Sequence, residues 1–456
     1  MDRRDFVRLG VAATAISSTG AGAATKLASA KDISLLEAGA SEQQAAMQAG
    51  RTTSAALVQQ YLARIAIIDK RGPTLNAVIE LNPDALDIAR GLDRERAAGK
   101  LRGPLHGIPV LLKDNIATAD KMSTSAGSLA LDGVRASRDA FLAARLRAAG
   151  AVILGKTNLS EWANMRSTHS ISGWSGRGGL TRNPYALDRN TSGSSSGSAA
   201  AIAASLATLA VGTETDGSIV SPASTCGLVG LKPTLGLVSR SGIIPIAASQ
   251  DTAGPMTRSV LDAALLLTAM AGPDAADAGA GGLAGAPKQA VDYAAAAQPG
   301  GLAGKRLGVA RNFFGSADGV DAVIEKALAV LKAQGAVLVD VKVPNIDKYN
   351  DSETEVLLYE FKPGLADWLA GYAPHAPIRD MAGVIAFNEK AAARELRFFG
   401  QEHLLHAQAK GPLTDAAYRD ALANNRRYAR EEGIDQVLKE HKLDALVAPT
   451  GGVAWL

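Results

Sequence analysis

Two serine-glycine loops carry most of the chemistry-bearing residues. The first is Ser192-Gly193-Ser194-Ser195-Ser196-Gly197-Ser198, which runs into an Ala-rich apolar segment over residues 199–210. The second is Gly212-Thr213-Glu214-Thr215-Asp216-Gly217-Ser218-Ile219, followed by Gly230-Leu231-Lys232-Pro233. Glycine lets a backbone approach a ligand closely, and consecutive N–H groups can form an anion-binding nest. Two such loops on either side of a short buried helix suggest two hydroxyls brought together over one site. A flexible Gly/Ser linker is the plainer reading, and the apolar runs pressing on both loops argue against it. A third group stands upstream, where the apolar run Val110-Leu111-Leu112 delivers Lys113, Asp114 and Asn115 at its end. A lysine in that place is either a solvated strand end or a functional group at a sheet rim.

Other arrangements are weaker. Gly193-Ser194-Ser195-Ser196-Gly197 fits the Gly-x-Ser-x-Gly nucleophile elbow, which would make Ser195 the nucleophile of a Ser-His-Asp hydrolase. That turn needs a strand before it, and residues 183–190 (Asn-Pro-Tyr-Ala-Leu-Asp-Arg-Asn) do not read as one. His403-x-x-His406 beside Glu402 has metal-like spacing, although on a charged helix it reads first as a solvated face. Cys226 stands alone, so neither an intramolecular disulfide nor a multi-thiolate metal site can form.

Elements to position these groups follow from periodicity. Thr53 can cap a helix whose apolar positions Leu57, Val58, Leu62, Ile65 and Ile68 recur at helical spacing. A charged helix is expected over 83–98, a strand over 110–112, a helix over 139–150 with an acidic cap and a Gly stop, and a strand over 151–155. Further on come a strand over 228–231, a helix over 259–271, a strand–helix–strand unit over 305–310, 320–334 and 336–343, and one amphipathic helix over 388–409. A last strand covers 443–448. Helices alternating with strands predict an α/β domain. Residues 273–304 are Ala/Gly/Pro-rich and read as a surface excursion. Residues 172–184 form a Gly/Arg/Trp-rich loop, from which Trp174 and Arg177 could reach a substrate.

Size and charge bound the rest. The 456 residues are 47% hydrophobic and 20% charged, with ample material for a core. The formal charge of +3 owes much to the first thirty residues, where Arg3, Arg4, Arg8 and Lys26 face only Asp2 and Asp5. The nearly neutral remainder offers no basic footprint for nucleic acid. Arg3-Arg4-Asp5-Phe6, a mild apolar stretch and Ala28-Ser29-Ala30 have the layout of an export signal over 1–30, similar to the bacterial twin-arginine type. The remaining domain, 31–456, is therefore expected in the periplasm or outside the cell, with no stable membrane association. A large aromatic, Trp455, just past the last strand gives the expectation that more chain should follow Leu456.

Taken together, Gly107-Ile108-Pro109-Val110-Leu111-Leu112-Lys113-Asp114, the 192–198 loop and Thr215-Asp216-Gly217-Ser218-Ile219 resemble the three ordered signatures of the amidase signature family. Asn183-Pro184, Gly230-Leu231-Lys232-Pro233-Thr234 and Asp251-Thr252-Ala253-Gly254-Pro255-Met256 extend the likeness to about residues 34–450. The wording of both serine loops is similar to that of bacterial peptide amidases, which remove the C-terminal carboxamide of peptides. The resemblance implies a single large domain with a mixed β-sheet covered by helices on both faces. By position it makes Lys113 the catalytic lysine, Ser218 the nucleophile and Ser194 the bridging serine with a cis peptide bond. Ser195 becomes a hydrogen-bonding support. The backbone of Thr215, Asp216, Gly217 and Ser218 would supply oxyanion donors. No cofactor or metal is implied, and the partners would be a peptide or small-molecule amide and, through the N-terminus, export machinery.

The physics of that trio is sound. A serine hydroxyl attacks only once a base takes its proton. Lysine, with a reference pKa near 10.4, must shift down by roughly three units to serve at neutral pH, which burial can supply. Two departures from the family pattern stand out, Asp216 where Gly is usual and Val220 where Arg is usual. A carboxylate aimed into an oxyanion hole would oppose catalysis, so Asp216 is expected to point away or to grip substrate. A broader aliphatic or aryl amidase is the first alternative. The tRNA-linked amidotransferase subunits of the family fit an exported, neutral chain less well, and a catalytically silent periplasmic binding protein would not need all three side chains.

Overall fold

A computed structural model describes residues 34–277 and 291–456, which belong to one compact unit, Ile33–Leu456. The proposed export signal and part of the 273–304 excursion lie outside the described residues.

Eleven strands are described: β1 Val78–Leu81, β2 Pro109–Lys113, β3 Val152–Thr157, β4 Trp174–Ser175, β5 Gly179–Leu180, β6 Leu209–Glu214, β7 Val229–Gly230, β8 Thr252–Thr257, β9 Arg306–Ala310, β10 Val337–Val341 and β11 Ala445–Val447. Six of them form a mixed sheet in the order β1-β3-β2-β6-β8-β7. β2 runs parallel to β3 and to β6, whereas β1, β8 and β7 pair antiparallel. Every residue of β2, β3, β6 and β8 is buried, so both faces of the sheet centre are covered, as near-continuous apolar strands require. The helix Phe141–Ala148 lies between β2 and β3 in sequence. The helix Ser196–Ala203, buried at all eight positions, packs on the sheet centre.

Local chemistry explains much of this. Thr53 Oγ1 accepts from Ala56 N–H at 3.1 Å and starts the helix Ser54–Arg64, and Ser259 caps Val260–Met270 in the same way. The acidic cap expected at residue 139 is absent. The Asp139 carboxylate accepts instead from Ala119 N–H at 2.7 Å and pairs with Arg147 at 3.0 Å, leaving Ala140 at the N-cap without a side-chain bond. The single helix expected over 388–409 is broken into Met381–Lys390, Ala392–Glu395 and Glu402–Gln408. Phe399 between the last two turns inward under the Arg166 guanidinium, 3.9 Å from its ring centre.

A second, three-stranded parallel sheet, β10-β9-β11, lies beyond the single sheet expected; the helix Asp318–Ala333 connects β9 to β10. Between β10 and the C-terminal elements runs a 23-residue helix, Asn350–Tyr372, which keeps Pro363 inside it. Described parts of the Ala/Gly/Pro-rich stretch are mostly exposed.

Candidate active site

The parallel pair β2 and β6 ends on one side, and ligands of open α/β sheets gather outside the carboxyl ends of parallel strands. Lys113 closes β2 and Glu214 closes β6. Lys113 is fully buried. Its Nζ donates to Ser194 Oγ at 2.8 Å and to Thr213 O at 3.1 Å. Burial pushes its amine down to about 7, against the charges of Asp251 and Glu214, which favour the ammonium. An amine lowered to about 7 is substantially deprotonated at neutral pH, and so it can act as a base.

The serine loop sorts itself by partner. Ser194 follows Gly193 through a cis peptide bond and presents its hydroxyl to Lys113. Ser195 Oγ donates to Thr213 O at 3.0 Å and accepts from Thr213 N–H at 3.2 Å, which locks it to β6. Ser196 Oγ donates to Ser192 O, and Ser198 Oγ to Val211 O. Ser192 Oγ shares a hydrogen with Ser221 Oγ at 2.7 Å. Of the five, Ser194 alone reaches the lysine. The saturated Ser195 hydroxyl speaks against an elbow nucleophile there, and no histidine is among its hydrogen-bond partners.

Ser218 lies on the loop after β6, 7% exposed. Ser195 N–H donates to Ser218 O at 3.1 Å, which seats the loop after β6 against the residue next to Ser194. Among the described residues Ser218 Oγ takes no hydrogen-bond partner. The same holds for the N–H groups of Asp216, Gly217 and Ser218, three consecutive donors with nothing of the protein to bind. Gly217 has φ +74°, a left-handed conformation that turns this backbone around the site and that glycine adopts without strain. The next two N–H groups are already engaged, since Glu214 Oε2 accepts from Ile219 at 2.7 Å and Val220 at 3.0 Å. Asp216 is exposed and its carboxylate bonds to no described residue. It lies near enough to Tyr349 and Glu353 to help raise the pKa of each, behind burial as the larger cause.

Two expected substrate contacts are occupied inside the protein. Trp174 is buried, edge-on to Phe398 and Phe399 at 5.5 and 5.2 Å, under Arg166. Arg177 ties Asp132 at 2.6 Å and Glu80, and faces Asp114 at 3.7 Å. These contacts hold both side chains inside the fold, with Arg177 Nη1 facing Asp114 beyond hydrogen-bond distance. His403 and His406 belong to no cluster of three or more His, Cys, Asp or Glu side chains among the described residues.

Sequence reasoning assigned no role to three residues that brace the site. The Asp251 carboxylate, buried and pushed up to about 6 by that burial, accepts from Thr215 Oγ1. Its second oxygen accepts from Ile246 N–H at 2.8 Å and Ala247 N–H at 3.0 Å. Lys232 Nζ donates to Thr215 O at 2.7 Å and lies 3.6 Å from Glu214, the third of the set. All three stand within motifs quoted above, so position in a motif was the available signal.

Among the described residues, a buried lysine joined to one serine, a second serine with a free hydroxyl and a row of unengaged N–H groups together define an arrangement suited to acyl transfer. The amidase family profile matches residues 56–456, and the chain belongs to that family, whose members hydrolyse amide C–N bonds. Among solved structures it is similar to native peptide amidase from Stenotrophomonas maltophilia, with TM-score 0.88 and 56% identity over 92% of this chain and 85% of that one. It is also similar to an amidase family protein from Bacillus anthracis, with TM-score 0.83 and 38% identity over 92% and 82%. A probable amidase of Arabidopsis thaliana is 42% identical over 440 residues, 93% of this chain and 82% of the relative.

Proposed function

We propose that the chain removes the terminal carboxamide of peptides, with Ser218 as nucleophile, Ser194 as proton relay and Lys113 as base. The observation that carries the mechanism is the buried Lys113–Ser194 bond beside the partnerless Ser218 hydroxyl. Neutral Lys113 takes the Ser194 proton as Ser194 takes that of Ser218, and Ser218 Oγ bonds to the substrate carbonyl. The oxyanion collects N–H donors from residues 216–218, each of a kind worth roughly 10²–10³ in rate. The relay then runs backwards, the C–N bond breaks, and ammonia leaves with the proton from Lys113. Water, deprotonated by the same relay, hydrolyses the acyl-enzyme to the carboxylic acid.

The likeness to peptide amidase supports the peptide reading, and the relatives named simply as amidases keep a broader amide specificity as the second one. Ammonia release from a peptide amide, an aliphatic amide, an aryl amide and an internal peptide bond separates them, with Ser218→Ala in parallel. Release from the peptide amide alone, lost in Ser218→Ala, is expected. Release only from simple amides overturns the peptide reading, and activity surviving in Ser218→Ala overturns the mechanism.

A further inference from the structure

We infer that Lys232 is a positioning residue that aims the oxyanion donor of Asp216 by holding the carbonyl of Thr215; this rests on the Ser218 mechanism proposed above. In a trans peptide the C=O and the following N–H point in opposite directions within one plane. Lys232 Nζ donates to Thr215 O at 2.7 Å. That bond fixes the Thr215–Asp216 peptide plane and sends the Asp216 N–H to the side away from Lys232, where it meets no acceptor among the described residues.

The rest of the surroundings makes the bond directional. Glu214, 4% exposed at the end of β6, holds one carboxylate oxygen 3.6 Å from Lys232 Nζ while the other binds the N–H groups of Ile219 and Val220. The lysine head is thus kept between Glu214 and the Thr215 carbonyl. On the other side of the same residue, Asp251 accepts from Thr215 Oγ1 and is anchored by two N–H groups of the 246–247 loop. Thr215 is gripped by side chain and by carbonyl, one grip on each side of the residue whose peptide carries the donor. The next constraint is similar in kind, because Ser221 N–H donates to Gly217 O at 2.9 Å and so directs the Ser218 N–H the opposite way. The donor row is preorganised by bonds to the carbonyls behind it, and Lys232 is the side chain in that set.

A donor held in place matters most where charge develops, so loss of the grip should spare substrate binding and reduce turnover. The test compares parent, Lys232→Met and Lys232→Arg on a peptide amide, together with a peptidyl aldehyde and the matching peptidyl alcohol as ligands. The aldehyde adds Ser218 Oγ to its carbonyl and places the resulting oxygen where the oxyanion forms; the alcohol makes the remaining contacts only. Expected for Lys232→Met is a kcat about 10–100-fold lower with KM within about threefold, since one imperfectly placed donor costs up to roughly 10²–10³. Aldehyde affinity should fall by a similar factor and alcohol affinity stay unchanged. Lys232→Arg, which can still donate to the carbonyl, should recover most of both. Unchanged kcat and aldehyde affinity in Lys232→Met overturn the inference, as does equal weakening of aldehyde and alcohol, or an arginine variant no better than methionine. Should the methionine variant not fold, Lys232→Gln takes its place, because its shorter amide cannot reach the Thr215 carbonyl as the lysine does: lower turnover and aldehyde affinity with alcohol binding kept support the inference, and parent-like behaviour or equal weakening of aldehyde and alcohol overturns it. A parent enzyme that forms no adduct with the aldehyde overturns the Ser218 reading itself, a result distinct from either.

Discussion

Replacing Lys113 by methionine keeps the apolar stem and removes the amine, and it should change stability in a way that depends on pH. The amine is held at about 7 in the folded protein, chiefly by burial, whereas lysine in an unfolded chain titrates near 10.4. Between those values the unfolded state binds the extra proton, so the parent's stability rises with pH across that window. Each unit of displacement is worth about 1.4 kcal/mol, so from pH 7 to pH 9 the parent gains roughly 2 kcal/mol from this group. Methionine lacks the term. It also forfeits the bonds to Ser194 Oγ and Thr213 O, at about 1 kcal/mol each and with little pH dependence. Asp251, pushed up to about 6, stays largely ionised across the window and is common to both proteins. Urea unfolding at pH 7, 8 and 9 should therefore show the stability of Lys113→Met relative to parent falling by about 2 kcal/mol as pH rises. A relative stability that is flat over this range would refute the claim that burial depresses the lysine.

Three further outcomes follow from the same geometry. Because Lys113 must be neutral to accept a proton, kcat/KM for a peptide amide should rise with pH through about 7 and level off above it; a pH–rate profile flat from 6 to 8 contradicts the assignment. A Cβ at Gly193 would collide with Ser160 Oγ and approach Ser196 Oγ to 2.9 Å, so Gly193→Ala should displace the neighbouring Ser194 and lower kcat by about 10²-fold, the scale of a small misplacement at a reacting centre, as initial rates will show. The first thirty residues are proposed to direct export, and replacing Arg3 and Arg4 together by lysine should leave the protein in the cytoplasmic fraction on cell fractionation.

Much of the site was legible because its chemistry is written in short motifs. Lys113 follows three apolar residues, and Ser194 and Ser218 sit in glycine-flanked loops whose partners need no long-range information to be suspected. The distinction among neighbouring serines was less accessible. Ser195 is silenced by Thr213, eighteen positions away, through both backbone groups of a strand residue. Asp251 and Lys232 brace Thr215 from 36 and 17 positions away, and their places in the motifs marked them without showing what they bind. Trp174 and Arg177 looked like pocket residues because aromatic and cationic types are common there, yet the fold gives them buried aromatic and carboxylate partners contributed by distant segments.

The fold shows the same division. Strands β2 and β3 are short apolar runs that report burial on both faces, whereas β6 begins inside the Ala-rich 199–210 segment and was not expected. The break in the 388–409 periodicity arises from a tertiary contact, Phe399 against Arg166 and Trp174, which overrides the helical pattern. The helix Asn350–Tyr372 tolerates Pro363, a residue whose missing N–H and ring normally argue for a break, because packing along Val356, Phe361, Leu365 and Trp368 holds it. The acidic residue at 139 is a good cap by type and was taken by Ala119 N–H and Arg147.

Trapping the acyl-enzyme tests the central claim most directly. A peptide amide mixed with the protein and quenched in acid within the first turnover should yield, by intact mass, a species heavier by the peptidyl acyl group. Peptide mapping should place the addition on Ser218. Ser218→Ala should carry no added mass, and Ser194→Ala should form the adduct far more slowly at the same position. An adduct on Ser195 or on any other residue, or steady ammonia release from Ser218→Ala, would contradict the account.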